Sequence, residues 1–89
     1  MKLDKSSIEA TIKNKIIEIA NTLGCDAREL QPDEIIPATG LIDSAGLLEL
    51  VAWYEAYYDI SIPASEFTVE NFGTLSSMAD FLQQQKQLL

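Results

Sequence analysis

Ile8, Ile12, Ile16, Ile19 and Leu23 recur at steps of three or four residues, with Lys13, Lys15, Glu18 and Asn21 mostly between them. Apolar side chains at this period share one side of an α-helix, whereas a strand would throw alternate residues to opposite faces. The stripe must then be covered by apolar residues from elsewhere in the chain. Ser6 and Glu9 have the spacing of a capping box, and Gly24 stands where a helix would stop. A first helix is expected over residues 6–23.

A second stripe of Leu47, Leu50, Val51, Tyr54 and Tyr58 predicts a helix over residues 44–58. Its opposite side carries Ala45, Glu49, Ala52 and Ala56, with Leu48 and Trp53 on the flanks. Leu75, Met78, Ala79 and Leu82, with Phe81 beside them, predict a last helix over residues 75–86, and Thr74 is a suitable N-cap. Residues 24–43 follow no period and are broken by Pro32, Pro37 and Gly40, so they read as a long loop pinned by Leu30, Ile35, Ile36 and Leu41. A helical turn around residues 26–30 would shorten that loop. Ile60 and Ile62 alternate inward along an extended link, and residues 64–71 suggest a short helix with Phe67 and Phe72 as core plugs. The expectation is an all-α bundle of three main helices and one short helix. It forms a single domain over residues 1–89, because a chain of this length holds one modest core.

Composition narrows the function. Cys25 is the one cysteine and histidine is absent, so internal disulfides, soft-metal clusters and Ser–His or Cys–His pairs are all excluded within one chain. The formal net charge of −8 disfavours nucleic acid and anionic lipid, and it either steers basic partners or simply maintains solubility. Asp26, Glu29, Asp33 and Glu34 lack the spacing of a calcium loop and read as a solvated acidic segment. No apolar run approaches a membrane span, so the expectation is a cytoplasmic monomer without metal.

The stretch Gly40-Leu41-Ile42-Asp43-Ser44-Ala45-Gly46-Leu47-Leu48-Glu49-Leu50-Val51 places a serine, directly after an aspartate, where the loop becomes a helix. On its own an Asp-Ser pair at such a place is an ordinary N-cap. Free N–H groups and the positive dipole end would also favour a phosphodiester on Ser44. Gly46 reads as leaving space for whatever docks there. No base for Ser44 is in evidence, so no catalytic residue is expected. If that hydroxyl reacts, another protein must activate it.

At these residues the chain resembles the acyl carrier protein family. The resemblance runs through Gly40, Asp43, Ser44, Leu47, Glu49, Leu50 and Val51, then Asp59-Ile60-Ser61-Ile62-Pro63 and Asn71-Phe72-Gly73-Thr74-Leu75. It implies a four-helix carrier fold and 4′-phosphopantetheine on Ser44, taken from coenzyme A by a phosphopantetheinyl transferase that Asp43 helps to recruit. It further implies acyl or aminoacyl cargo held as a thioester, a loading ligase, and a downstream transferase or synthase. Asp43-Ser44-Ala45-Gly46, Glu66-Phe67 and Phe72-Gly73-Thr74 are most similar to D-alanyl and other stand-alone aminoacyl carriers, and carriers of specialised metabolism are also similar. The second helix is the family's docking surface, which implies partner contacts at Ala45, Leu48, Glu49, Ala52, Trp53 and Ala56. The alternative is an unmodified helical interaction module with the same fold.

Overall fold

The computed structural model describes residues 4–87 and, among them, every side chain except those of Pro37, Ser44, Ala64, Val69, Lys86 and Gln87. Helix α1 runs Lys5–Thr22, α2 Ile36–Thr39, α3 Ser44–Tyr58, α4 Val69–Phe72 and α5 Leu75–Gln87, with a single 3-10 turn at Ala64–Glu66. No strand occurs among the described residues. The all-helical class is as the periodicities imply.

Helix α1 buries Ile8, Ile12, Ile16, Ile19 and Ala20 and packs against both α5 and α3. Leu50 and Tyr54 of α3, and Leu75, Met78, Ala79, Phe81 and Leu82 of α5, complete one apolar core with it. Tyr54 enters that core with its polar tip satisfied, donating a hydrogen bond to the Met78 carbonyl at 2.9 Å. Burial of these stripes drives the fold, since the capping and surface ion pairs are worth far less.

Several local expectations need correction. The N-cap of α1 is Asp4, not Ser6: the Asp4 carboxylate accepts from the Ser7 N–H and hydroxyl, both at 3.3 Å, which places a charge at the positive helix end. At the other end Cys25 N–H donates to the Ala20 carbonyl at 2.8 Å and Gly24 N–H to Asn21 at 3.1 Å. This is the paired Schellman termination, with Gly24 left-handed at φ +79°.

The 24–43 segment is not wholly irregular. It winds into α2 at Ile36–Thr39, while residues 26–30 make only a turn closed by Leu30 N–H to Ala27 at 3.1 Å. Proline at the start of α2 costs nothing, because its missing N–H would have no helical partner there. Two long-range backbone bonds hold the segment in place, from Ile36 N–H to Gly73 at 2.7 Å and from Ser76 N–H to Pro32 at 3.0 Å. Its anchors are Ala27, Leu30, Ile36 and Ile42, with Leu41 partly buried. Ile35 instead precedes α2 as its N-cap and is 50% exposed.

The expected short helix over 64–71 divides into the 3-10 turn and α4, with Thr68 capping the latter through its hydroxyl to Asn71 N–H at 3.3 Å. Phe72 is buried, but Phe67 is an exposed ring stacked over it at 5.6 Å rather than a core plug. Thr74 caps α5, its hydroxyl accepting from Ser77 N–H at 3.0 Å while Ser77 Oγ accepts from Thr74 N–H at 3.2 Å.

Candidate functional site at the start of helix α3

Ser44 is the first residue of α3, and its side chain lies outside the described ones. Asp43 is the N-cap, extended at φ −91° and ψ −176°, and its Oδ1 accepts from Gly46 N–H at 2.7 Å. The Asp43 carbonyl accepts the first intrahelical bond, from Leu47 N–H at 2.9 Å. The Asp43 carboxylate takes the N–H of Gly46, and the N–H groups of Ser44 and Ala45 belong to the same first turn, where a helix has no backbone acceptor of its own to offer. Asp43 and Ala45 are both exposed. The donors present therefore suit a phosphodiester.

Gly46 does not clear space for a visitor, as its sequence position suggested. It is buried, and a Cβ there would lie 3.0 Å from Ile19 Cγ2 of α1, 3.2 Å from Ile42 Cβ and 3.3 Å from Asp43 Oδ1. The signal for this was present: Gly46 lies one step of four before Leu50 and two before Tyr54, so it extends the buried stripe of α3.

Along the outer side of α3, Ala45, Leu48, Glu49, Ala52 and Ala56 are all exposed, Leu48 at 64%. Trp53 is half-buried against the core, with its ring 5.0 Å from that of Tyr57, which is itself 60% exposed. Tyr57 thus joins this surface through its position one helical turn after Trp53.

The two acids of the helix are not equivalent. Glu55 is committed inward, accepting from Ile62 N–H at 2.9 Å and so fixing the link after α3. Glu49 is exposed and has Lys15 of α1 at 3.9 Å, an amine also bound to Glu18 at 3.3 Å. The outer side of α3 is consequently mostly apolar, three exposed alanines beside Leu48, Trp53 and Tyr57, with one partly compensated acid.

Elsewhere the acidic loop is occupied with itself. Asp26 is gripped by the Arg28 guanidinium at 2.8–3.2 Å, and this hydrogen-bonded pairing holds its carboxyl down at about 2. Glu34 accepts from Gln31 N–H at 2.8 Å. Among the described residues no three His, Cys, Asp or Glu side chains converge as metal ligands. Cys25 is a half-buried free thiol.

Residues 16–82, well over half of the chain and including this entire site, match the family model described as the phosphopantetheine attachment site. The chain belongs to the phosphopantetheine carrier protein family. Its prosthetic group is therefore 4′-phosphopantetheine. Among curated relatives of this carrier, the D-alanyl carrier protein of Streptococcus sanguinis is 32% identical over 69 residues, 78% of this chain and 87% of that protein. The D-alanyl carrier protein of Streptococcus mutans is 29% identical over the same length and coverage. The solution structure of a holo acyl carrier protein from Nitrosomonas europaea matches with a TM-score of 0.71 and 25% identity, over 90% of this chain and 95% of that one. The acyl-carrier helical bundle is thus the fold. No helix among the described residues is long and apolar enough to cross a membrane.

Proposed function

We propose that Ser44 is the attachment point of the 4′-phosphopantetheine arm, and that the protein is a cytoplasmic, non-catalytic carrier of acyl or aminoacyl cargo. The observation that carries this reading is the Asp43-Ser44 pair at the opening of α3, within the span matched by the family model. A phosphopantetheinyl transferase moves the group from coenzyme A. The Ser44 oxygen forms the new phosphate ester as the bond to the adenosine 3′,5′-bisphosphate leaving group breaks, and the serine proton passes to a base on the transferase. When bound, the arm supplies a terminal thiol on which cargo rides as a thioester. The chain's own contribution is to hold Ser44 at a capped helix start, with an acid beside it for the transferase to read.

The D-alanyl carriers among the relatives make a small amino acid the first cargo to test. A loading ligase and a downstream transferase or synthase are its other partners. Their docking surface comprises Ala45, Leu48, Glu49, Ala52, Trp53 and Ala56, with Tyr57 alongside. Small alanines let a partner's side chains approach closely there, so shape contributes alongside the steering from the net charge of −8.

Intact-mass measurement after incubation with coenzyme A and a broad-specificity transferase tests the proposal. The wild-type chain should gain one phosphopantetheinyl group and Ser44→Ala none. A wild-type chain that stays unmodified would instead favour an interaction module that retained the fold without the chemistry.

A further inference from the structure

Gly46 sits in the first turn of α3, against α1 and the end of the preceding loop. A Cβ would meet Ile19 Cγ2 at 3.0 Å, Ile42 Cβ at 3.2 Å and Asp43 Oδ1 at 3.3 Å, each tighter than ordinary van der Waals contact. The last atom is the same one that accepts the Gly46 N–H at 2.7 Å. Ile19 belongs to the packed stripe of α1, with Ile16 and Ala20 buried beside it, and has little room to retreat. The parts free to give are the end of the loop and the first turn of α3. These are the exposed Asp43 on one side of Ser44 and the exposed Ala45 on the other, since Ile42 is itself buried.

We infer that Gly46 is a positioning residue for arm attachment: its missing side chain lets α3 seat on Ile19 at the depth where Asp43 caps the helix and Ser44 meets the transferase. The inference rests on Ser44 as the attachment point. Any side chain at 46 would express its strain in the segment that carries the reacting hydroxyl. The buried stripe of α1, by contrast, would absorb little of it.

The sign of the stability change separates strain from propensity. Without a clash, Gly46→Ala should raise Tm, because alanine is the better helix former and glycine loses more conformational freedom on folding. With the clash, Tm should fall. The attachment rate should fall further, by about tenfold in kcat/KM for transfer from coenzyme A, as displacements near 1 Å cost reactions up to a hundredfold.

A merely structural role would make attachment follow Tm, and the rescue variant tests that. Ile19→Ala removes Cγ2 and should lower Tm, and its own attachment rate is the baseline for the double variant. Gly46→Ala combined with Ile19→Ala should then load faster than Gly46→Ala alone, despite a core poorer by one isoleucine. Should Gly46→Ala not fold, the comparison is the double variant against Ile19→Ala, and matching rates support the inference. A folded Gly46→Ala that gains Tm and loads at the wild-type rate overturns it, as does a double variant no faster than the single one. A wild-type chain that takes no arm is a different failure, that of Ser44 as the attachment point.

Discussion

The two ends of helix α3 are bounded by aspartates and otherwise built to opposite purposes. At its start, Asp43 caps a turn made of Ser44, Ala45 and Gly46, where side chains are small and the helix is seated by a glycine against Ile19. At its end, Trp53, Tyr54, Tyr57 and Tyr58 crowd together with ring centroids 4.9–6.2 Å apart, and Glu55 ties the chain to Ile62 before Asp59 turns left-handed at φ 54°. The aromatic end supplies burial and holds the helix in the bundle. The spare end leaves Asp43 and Ala45 exposed on either side of Ser44. A carrier needs both, since its attachment residue must be accessible and yet fixed in direction.

If that division is right, damage to the aromatic end should cost stability and leave attachment chemistry intact. Tyr54 is fully buried, lies edge-on to Phe72 at 5.6 Å and bonds to Met78. Tyr54→Ala should destabilise the domain by about 3–5 kcal/mol through lost burial and the cavity left behind. A domain of this size has only about 4–13 kcal/mol in total, so the loss is a large share. Urea unfolding would measure the loss. Attachment to the remaining folded fraction, measured well below the transition, should keep its wild-type kcat/KM. A parallel fall in that ratio would mean that the two ends are coupled.

The start of the helix should show the reverse balance. Asp43→Ala removes a cap and should cost about 1 kcal/mol. Asp43→Asn keeps an oxygen acceptor for Gly46 N–H and should cost only a few tenths. If the carboxylate also recruits the transferase, both variants should load several-fold more slowly, although only one is appreciably less stable. Loading that recovers in Asp43→Asn would reduce the residue to a cap.

How much of this was legible beforehand follows the same division. The stripes of α1, α3 and α5 announce themselves because burial on one side of a helix imposes a 3.6-residue period on the side chains. Phe67 and Ile35 are hard to orient for a related reason: apolar residues in irregular segments carry no period to say which way they face, and both are substantially exposed. Helix α2 was invisible because its four residues are held by Gly73, nearly forty positions away, through a bond that leaves no local pattern. At the site, Asp43 and Ser44 stood out by residue type and place. Gly46 is hard to place because a glycine has no side chain to register on the apolar wheel, although its position relative to Leu50 and Tyr54 puts it on the buried side. The inward commitment of Glu55 depends on where Ile62 returns, which only the folded chain reveals.

The smallest effect concerns alkaline pH and again separates the two ends. Burial raises the Tyr54 hydroxyl far above its ordinary value of 10.0, with Tyr58 adding to the shift, and burial raises Tyr58 as well. A tyrosine whose folded form holds its proton more tightly than the unfolded one contributes stability that is complete below the unfolded value near 10.0 and declines as pH rises above it. Stability measured in urea should therefore fall as pH is raised beyond 10. Tyr54→Phe should flatten that slope while costing about 1 kcal/mol at neutral pH for the lost bond to Met78. Asp43→Asn should leave the slope unchanged, because no tyrosine touches the start of the helix in the contacts that define its cap. An alkaline slope that survives Tyr54→Phe undiminished would place the titrating group elsewhere, and would weaken the view that Tyr54 is the main titrating link between the aromatic end and the bundle.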